Sequence, residues 1–279
     1  MSSAKRSIIV TGGASGIGLG ITRSLASSHP ETTHISIFDI NASAGAQSLS
    51  TLQKEIPDAS FSFHQCDVSS WESQAAAFEE VYAQQGRIDH VFANAGITEK
   101  GKLIVKDEEK PEKPDLATLN VNLVGVIYSV KLAIHYLLKN PPSSISTGPP
   151  TRGSIICTAS NAGLYPFPIA PIYSTAKHAV VGLVRSLARP LALENIQINA
   201  LAPAVIETNI SSDLSLFKSM IITPMSTATR AVDTLLSDPS LTGKIAELNE
   251  EKVTFAEPPA YVDENTGRNI EMFWTLGYA

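Results

Sequence analysis

The sequence predicts one α/β domain: a doubly wound, parallel sheet of about seven strands with helices on both faces. Three observations carry this. Short apolar runs alternate with helix-length amphipathic stretches almost throughout the 279 residues. A glycine-rich turn joins the first run directly to the first helix. Polar residues fall at the ends of the apolar runs, where a parallel sheet gathers its ligand-binding loops.

Residues 7–11 form the first predicted strand, and Gly12-Gly-Ala-Ser15-Gly16-Ile17-Gly18 follows at once. A helix then runs to Ser28, with Ile17, Ile21 and Leu25 at four-residue spacing. Glycines at 12, 16 and 18 permit a tight turn and let the backbone approach a pyrophosphate seated at the helix N-terminus. The spacing is G-x-x-x-G-x-G, not the G-x-G-x-x-G fingerprint, and an ordinary turn is the plain alternative. Its place between strand and helix marks the domain as Rossmann-type.

The second strand, 33–38, ends in Asp39, 21 residues beyond Gly18. An acid at that distance hydrogen-bonds the ribose hydroxyls of NAD, and its charge repels the 2′-phosphate of NADP. No Arg or Lys lies between Thr11 and Leu19, or between Asp39 and Lys54, so NAD is the expected cofactor. The rival role for Asp39 is a cap on the helix starting near Ala42.

That helix, 42–55, stops at Pro57; a third strand, 60–66, ends at Asp67, and a helix over 70–85 closes at Gly86. A fourth strand, 89–93, enters Asn94-Ala-Gly96, and a long helix over 115–139 ends at Asn140-Pro-Pro and a Ser/Pro/Gly-rich loop. The fifth strand, 153–158, delivers Ser160; a helix over 172–194 carries Tyr173 and Lys177; the sixth strand, 196–201, leads to Pro203. Short helices are expected within 209–238, then a closing strand over 243–248. The whole chain, 1–279, reads as one domain with a core of about 7–250 and a C-terminal extension over about 251–279.

Tyr173 and Lys177 lie four residues apart, on one helix face. A tyrosine of pKa about 10 is a poor base at neutral pH. A neighbouring ammonium favours the phenolate and makes proton exchange with an alcohol or carbonyl feasible. Such a pair elsewhere often only shares a solvated face, and Ser160 and Asn122 likewise have structural alternatives as a turn residue and a helix-bend partner.

Thr11-Gly-Gly-Ala-Ser-Gly-Ile-Gly18, Cys66-Asp67-Val68, Asn94-Ala-Gly96, Asn122-Leu-Val-Gly125, Ser160, Tyr173-x-x-x-Lys177 and Asn199-Ala-Leu-Ala-Pro203 stand in one order and spacing. With these motifs the chain resembles the classical short-chain dehydrogenase/reductase family. More loosely, the segment before Asn122 and the C-terminal tail resemble fungal members similar to 15-hydroxyprostaglandin dehydrogenase. The resemblance implies a nicotinamide-dependent oxidoreductase and a homo-oligomer, dimer or tetramer. It implies Tyr173 as general acid/base, Lys177 on the nicotinamide ribose, Ser160 on the substrate oxygen, and Asn122 holding a water that extends the proton path. It further implies that Gly12, Ser15, Gly16, Ile17, Gly18, Asp39, Asp67, Val68, Asn94, Gly96, Tyr173, Lys177, Pro203 and Thr208 bind the cofactor, with Asp67 on the adenine and Thr208 on the nicotinamide amide.

Three features depart from the family pattern. Ala204 stands where glycine usually follows the proline, which puts the loop to Thr208 in question. Pro190 lies inside the Tyr173 helix and should kink it three turns beyond Tyr173. The charged segment 99–115, with Glu99, Asp107, Glu108 and Glu112 among its acids, is longer than a plain βα connection and reads as a solvated loop, with gating of substrate or docking of a partner as the lesser alternative.

Net charge of −6 disfavours a nucleic-acid surface, and Met1-Ser-Ser-Ala-Lys-Arg6 leads into an apolar strand too short for the expected length of a signal peptide or membrane span. Cys66 and Cys157 sit in or at the ends of predicted strands, as reduced residues of a cytoplasmic protein; no residue cluster has metal-ligand spacing. Leu164, Tyr165, Phe167, Pro168, Ile169, Leu214, Leu216, Phe217 and Met220 suit either a hydrophobic substrate pocket or core and subunit contacts. Phe255, Tyr261, Phe273, Trp274 and Tyr278 of the tail could pack on the domain, cover the pocket or reach a second subunit. The leading function is NAD-dependent oxidation of a hydrophobic secondary alcohol, or reduction of its ketone. A non-redox cyclase or isomerase and a cofactor-sensing binding protein are the rivals; sensors commonly lose the tyrosine or lysine, and both are kept here.

Overall fold

Alternation along single strands sets the layers of the molecule. The computed structural model describes residues 5–106, 109–143, 148–208 and 218–277. Leu214, Leu216, Phe217, Tyr278, Asp107 and Glu108 lie outside the described residues. In β1 (Arg6–Thr11), Ile9 enters the hydrophobic cluster on one face of the sheet while Ile8 and Val10 enter the cluster on the other. This is the period-2 geometry of a strand buried on both sides. β5 (Gly153–Thr158) repeats it, with Ile155 and Cys157 on one face and Ile156 opposite.

The remaining parallel strands are β2 (Thr33–Asp39), β3 (Ser60–Gln65), β4 (His90–Ala93), β6 (Ile196–Pro203) and β7 (Ile245–Asn249). An eighth, β8 (Lys252–Phe255), pairs antiparallel with β7, and the strand order is β3-β2-β1-β4-β5-β6-β7-β8. The expected single doubly wound α/β domain is present, and β8 is an addition made by the tail. The β7–β8 turn is Glu250-Glu251, with Glu250 at φ 52. No Gly or Asn signals that left-handed position, so the hairpin was hidden from turn chemistry.

The helices are α1 (Gly16–Ser28), α2 (Ala42–Glu55), α3 (Trp71–Gln85), α4 (Ala117–Leu119), α5 (Gly125–Leu137), α6 (Pro171–Leu193), α7 (Met225–Ser237) and α8 (Glu264–Leu276). Side chains of Asn41 and Ser70 cap α2 and α3, accepting bonds from Ala44 N at 3.0 Å and Ser73 N at 3.2 Å. Asp39 is therefore not the α2 cap, and Asp67 is not the α3 cap. α6 continues through Pro190 for another turn. The expected helix over 115–139 is divided: a π-helical turn, Asn120–Val124, separates α4 from α5. The stretch Ala117–Leu137 is long and apolar enough to cross a membrane by composition. Here Val126, Val130, Ala133 and Leu137 of that stretch are buried in the domain core.

α8 docks on α6 through one residue. Arg189 makes a bidentate pair with Glu271, at 2.6 and 2.8 Å, and stacks 4.4 Å from the Trp274 ring centre. Ile270, Met272, Phe273 and Leu276 of α8 remain exposed.

Candidate functional site

Sheet order reverses between β1 and β4, and the loops after these two strands splay apart there. The resulting cleft, about 360 Å³, is lined by Gly12, Ser15, Gly16, Ile17, Asp39, Asp67, Val68, Asn94, Gly96, Ser160, Tyr173, Lys177, Pro203 and Thr208. Of the residues singled out from sequence, Gly18 and Asn122 stand behind its wall.

Backbone demands explain the glycine loop. Gly12 and Gly16 take φ of +62° and +52°, the left-handed region that glycine enters at no steric cost. A Cβ at Gly18 would lie 2.3 Å from Gly12 O and 2.7 Å from Asn94 Nδ2, so this glycine lets helix and loop close on each other. Ser15 occupies the N-cap of α1 without a side-chain bond to the helix. Backbone N–H groups at this helix start are thus left for a ligand anion.

At the end of β2 the Asp39 carboxylate accepts from Ala14 N at 3.2 Å and Asn41 N at 3.0 Å, which fixes it beside the glycine loop. Asp67 Oδ1 accepts from Ser69 N at 2.9 Å and Ser69 Oγ at 2.7 Å.

Asn94 ties three strand ends together. Its Nδ2 donates to Thr11 O at 3.0 Å, and its Oδ1 accepts from Thr158 Oγ1 at 3.0 Å. Thr11 Oγ1 in turn accepts from Asn94 N at 2.9 Å and Ala95 N at 3.0 Å. Thr11 and Thr158 were missed as polar supports; only their place as the last residue of an apolar strand pointed to them.

Ser160 follows β5 and caps a short 3₁₀ turn, accepting from Ala162 N at 3.2 Å. Gly163 in that turn allows close packing on α6: a Cβ there would lie 2.6 Å from Lys177 O. This packing sets Ser160 against the face that carries Tyr173 and Lys177. Burial pushes the Tyr173 phenol above its ordinary pKa, while the Ser160 hydroxyl acts in the other direction. Lys177 is 3% exposed, and burial lowers its ammonium to about 8. Burial is thus the largest influence on the phenol. Lys177 Nζ is drawn to Thr158 O, at 2.7 Å, and sits 5.5 Å from the Tyr173 ring centre, so desolvation governs the phenol.

Asn122, fully buried in the π turn, accepts from Ile97 N and donates to Ile97 O, both at 2.8 Å. Its Oδ1 also lies close to the cleft wall: a Cβ at Gly96 would be 3.3 Å from it and 3.7 Å from Lys177 Nζ. π turns recur at functional sites because they displace one residue from helical register.

Glu99 is a correction to the reading of 99–115 as a solvated loop. Its carboxylate accepts from Ile172 N at 3.1 Å and Tyr173 N at 2.6 Å, so it caps α6 from across the chain. Nothing in its sequence neighbourhood marks this, because the partner is 74 residues away. Ala204 raises no strain, since among the described non-glycine residues only Asn195 and Glu250 have positive φ. Thr208 packs on the glycine loop, 3.2 Å from where a Cβ would stand at Gly16. Tyr165, Phe167 and Ile169, between Ser160 and Tyr173, are exposed, and among the described residues none of the tail lines the cleft. Among the described residues no cluster of His, Cys, Asp or Glu is placed to hold a metal ion.

Fold and site together define a nucleotide-binding α/β protein with a Ser–Tyr–Lys constellation at its switch point. The family model for short chain dehydrogenase matches residues 6–218, and the chain belongs to that family of oxidoreductases. It is 34% identical over 201 residues to the short-chain dehydrogenase/reductase prx7 of Penicillium rubens, covering 70% of this chain and 66% of that one. It is 30% identical over 214 residues to human 15-hydroxyprostaglandin dehydrogenase [NAD(+)], covering 76% and 72%. Among solved structures, gox2181 superposes with a TM-score of 0.73 at 27% identity, covering 88% of this chain and 95% of that one. Family members use a nicotinamide cofactor, NAD or NADP, on small-molecule substrates. The residues present fit such a group: a positive-φ glycine cradle, an unspent helix N-terminus and a carboxylate at the end of β2.

Proposed function

We propose that this protein is an NAD-dependent dehydrogenase or ketoreductase acting on hydrophobic secondary alcohols and their ketones. The convergence of Ser160, Tyr173 and Lys177 with the glycine loop and Asp39 in one cleft carries the reading. Bound nicotinamide supplies the hydride acceptor or donor. Tyr173 gives a proton to the reacting oxygen or takes one from it. Ser160 hydrogen-bonds the same oxygen and stabilises charge developing there. Lys177 holds the nicotinamide ribose, and Asn122 holds a water that continues the proton path beyond it.

Asp39 supports NAD over NADP, because its carboxylate is held beside the glycine loop, and a negative charge there would oppose a 2′-phosphate. The human relative that carries NAD(+) in its name favours the same choice. The apolar residues Tyr165, Phe167 and Ile169, on the segment between Ser160 and Tyr173, favour an apolar substrate. The same reading makes the enzyme a cytoplasmic homo-oligomer, dimer or tetramer. Exposed Trp71, Ile127 and Phe273 supply apolar surface for association, and sedimentation at the 29.7 kDa monomer mass would refute it.

The test follows absorbance at 340 nm with NAD or NADP and a panel of hydrophobic secondary alcohols and ketones. Turnover with NAD that Tyr173→Phe abolishes, while NAD binding persists, is the expected result. Cofactor binding without turnover in either direction would instead favour a non-redox or sensing role.

A further inference from the structure

The helix that carries Tyr173 begins without a cap of its own. Ala170 occupies the N-cap position and has no side-chain acceptor, and Pro171 follows at the first helical position. The next two N–H groups, of Ile172 and Tyr173, are orphan donors at the positive end of the helix. Glu99 reaches across and takes one with each carboxylate oxygen: Oε1 accepts from Ile172 N at 3.1 Å and Oε2 from Tyr173 N at 2.6 Å.

We propose that Glu99 is a positioning residue for Tyr173, fixing the first turn of α6 against the segment that leaves β4 along the cleft wall. The proposal rests on the reading of Tyr173 as acid/base. The segment bearing Glu99 is itself held on both sides of the carboxylate. Ile97 is clasped by Asn122, while Thr98 O and Lys100 N bond the Thr118 hydroxyl at 3.1 and 2.8 Å. Gly101, at φ +78°, then turns the chain close against Asp115. Glu99 is therefore carried on a braced strut. With both oxygens engaged, the carboxylate cannot rotate without giving up a backbone partner of the proposed acid/base. The strut also links Asn122 to Tyr173 through three residues of chain, Ile97 to Glu99, so that the two ends of the proposed proton path share one support.

Substitution separates this role from general stabilisation. Glu99→Ala removes both acceptors. Glu99→Gln keeps the length but offers one acceptor oxygen and turns an NH₂ group toward the other N–H. At a temperature well below each variant's Tm, Glu99→Ala should lower kcat about tenfold or more, with Glu99→Gln between it and wild type. The Kd for NAD should stay within about twofold, because a tenfold change corresponds to 1.4 kcal/mol and no cofactor-loop contact is touched. In ¹³C-tyrosine-labelled protein, the Tyr173 ring resonance, assigned with Tyr173→Phe, should shift or broaden in both Glu99 variants.

A Glu99→Ala kcat within twofold of wild type, in a background where Tyr173→Phe is inactive, overturns the proposal. A lowered Tm with unchanged kcat does so too, since it leaves only a structural cap. If Tyr173→Phe keeps its activity, the acid/base reading has failed instead, and the ring resonance alone decides on Glu99: an unmoved signal overturns positioning and a shifted one supports it. Should Glu99→Ala not fold, Glu99→Gln is judged by the same measurements and the same thresholds.

Discussion

Lys177 Nζ donates a 2.7 Å hydrogen bond to the main-chain oxygen of Thr158, deep between α6 and the end of β5. That single bond holds a nearly inaccessible ammonium, and the buried Cys157 thiol nearby, itself pushed up to about 12 by burial, gives it no carboxylate partner. The site thus keeps a charge that the fold alone would rather lose.

A stability cost at a functional position follows. Burial takes Lys177 from 10.5 to about 8, a difference on the order of 3 kcal/mol. The unfolded chain holds this proton up to its higher pKa, so stability should rise with pH between about 8 and 10.5, and below 8 the full cost is present. Lys177→Met should raise Tm at pH 7 by a few degrees, flatten the rise toward pH 10, and remove turnover. Thermal melts of both proteins at pH 7 and 9.5 check this. A lower Tm at pH 7 would show that the Thr158 bond outweighs the burial.

Acid should unfold the protein through two histidines remote from the cleft. Burial lowers His34 and His90 to about 4 each, from 6.5. His34 bonds Ser60 and Ser62 across the β2–β3 ladder, and His90 bonds Ser154 across β4–β5. Both are folded in the neutral form, so the unfolded state binds more protons between pH 6.5 and 4. Stability is complete above about 6.5 and declines as pH falls toward 4. Urea midpoints measured from pH 7.5 to 4.5 should decrease through that window. His90→Asn should make the decline shallower while lowering the midpoint at pH 7.5.

The order of elements was legible because β1, β2, β4, β5 and β6 are buried on both faces and so read as apolar runs, and because the glycine loop follows β1 at once. Gly12, Asp39, Asn94, Ser160 and Tyr173 fall at strand ends or on the helix that follows, where the parallel sheet brings them together. What escaped has physical causes. β8 turns at Glu250-Glu251 with no residue that favours positive φ. The π turn at 120–124 leaves apolar spacing almost unchanged, so 115–139 looks like one helix. Glu99 resembles every other charge in its segment, and only the three-dimensional approach of the α6 N-terminus distinguishes it. The spacing of Tyr173 and Lys177 says nothing of desolvation, which raises the phenol in this cleft.

Cofactor choice should depend on the carboxylate at the end of β2. Asp39→Ala removes an acceptor for the ribose hydroxyls and the charge that opposes a 2′-phosphate. A hydrogen bond to a charged group contributes about 1.5–3 kcal/mol, so NAD affinity should fall roughly 10- to 100-fold while NADP affinity holds or improves. Fluorescence titration with both reduced cofactors measures the ratio. An unchanged preference would mean that some other residue reads the ribose.

Gly18, behind the cleft wall, and Gly96, which lines it, should respond to alanine differently. At Gly18 a Cβ would meet Gly12 O at 2.3 Å and Asn94 Nδ2 at 2.7 Å, contacts that no rotamer relieves because one is backbone and the other a pinned amide. Gly18→Ala should therefore force the glycine loop off β1, lowering both Tm and NAD affinity. At Gly96 the nearest atoms to a Cβ are Asn122 Oδ1 at 3.3 Å and Lys177 Nζ at 3.7 Å, and its φ lies outside the left-handed region. The added methyl fits with a shift of a few tenths of an ångström, so stability should stay close to wild type. It would stand, however, between the two polar groups proposed to share the water of the proton path. Gly96→Ala should then lower kcat about tenfold and raise the solvent isotope effect, because proton delivery becomes the slow step. Activity equal to wild type with a folded protein would remove Asn122 from the path and leave it the role its two bonds to Ile97 already give, that of a brace for the chain leaving β4.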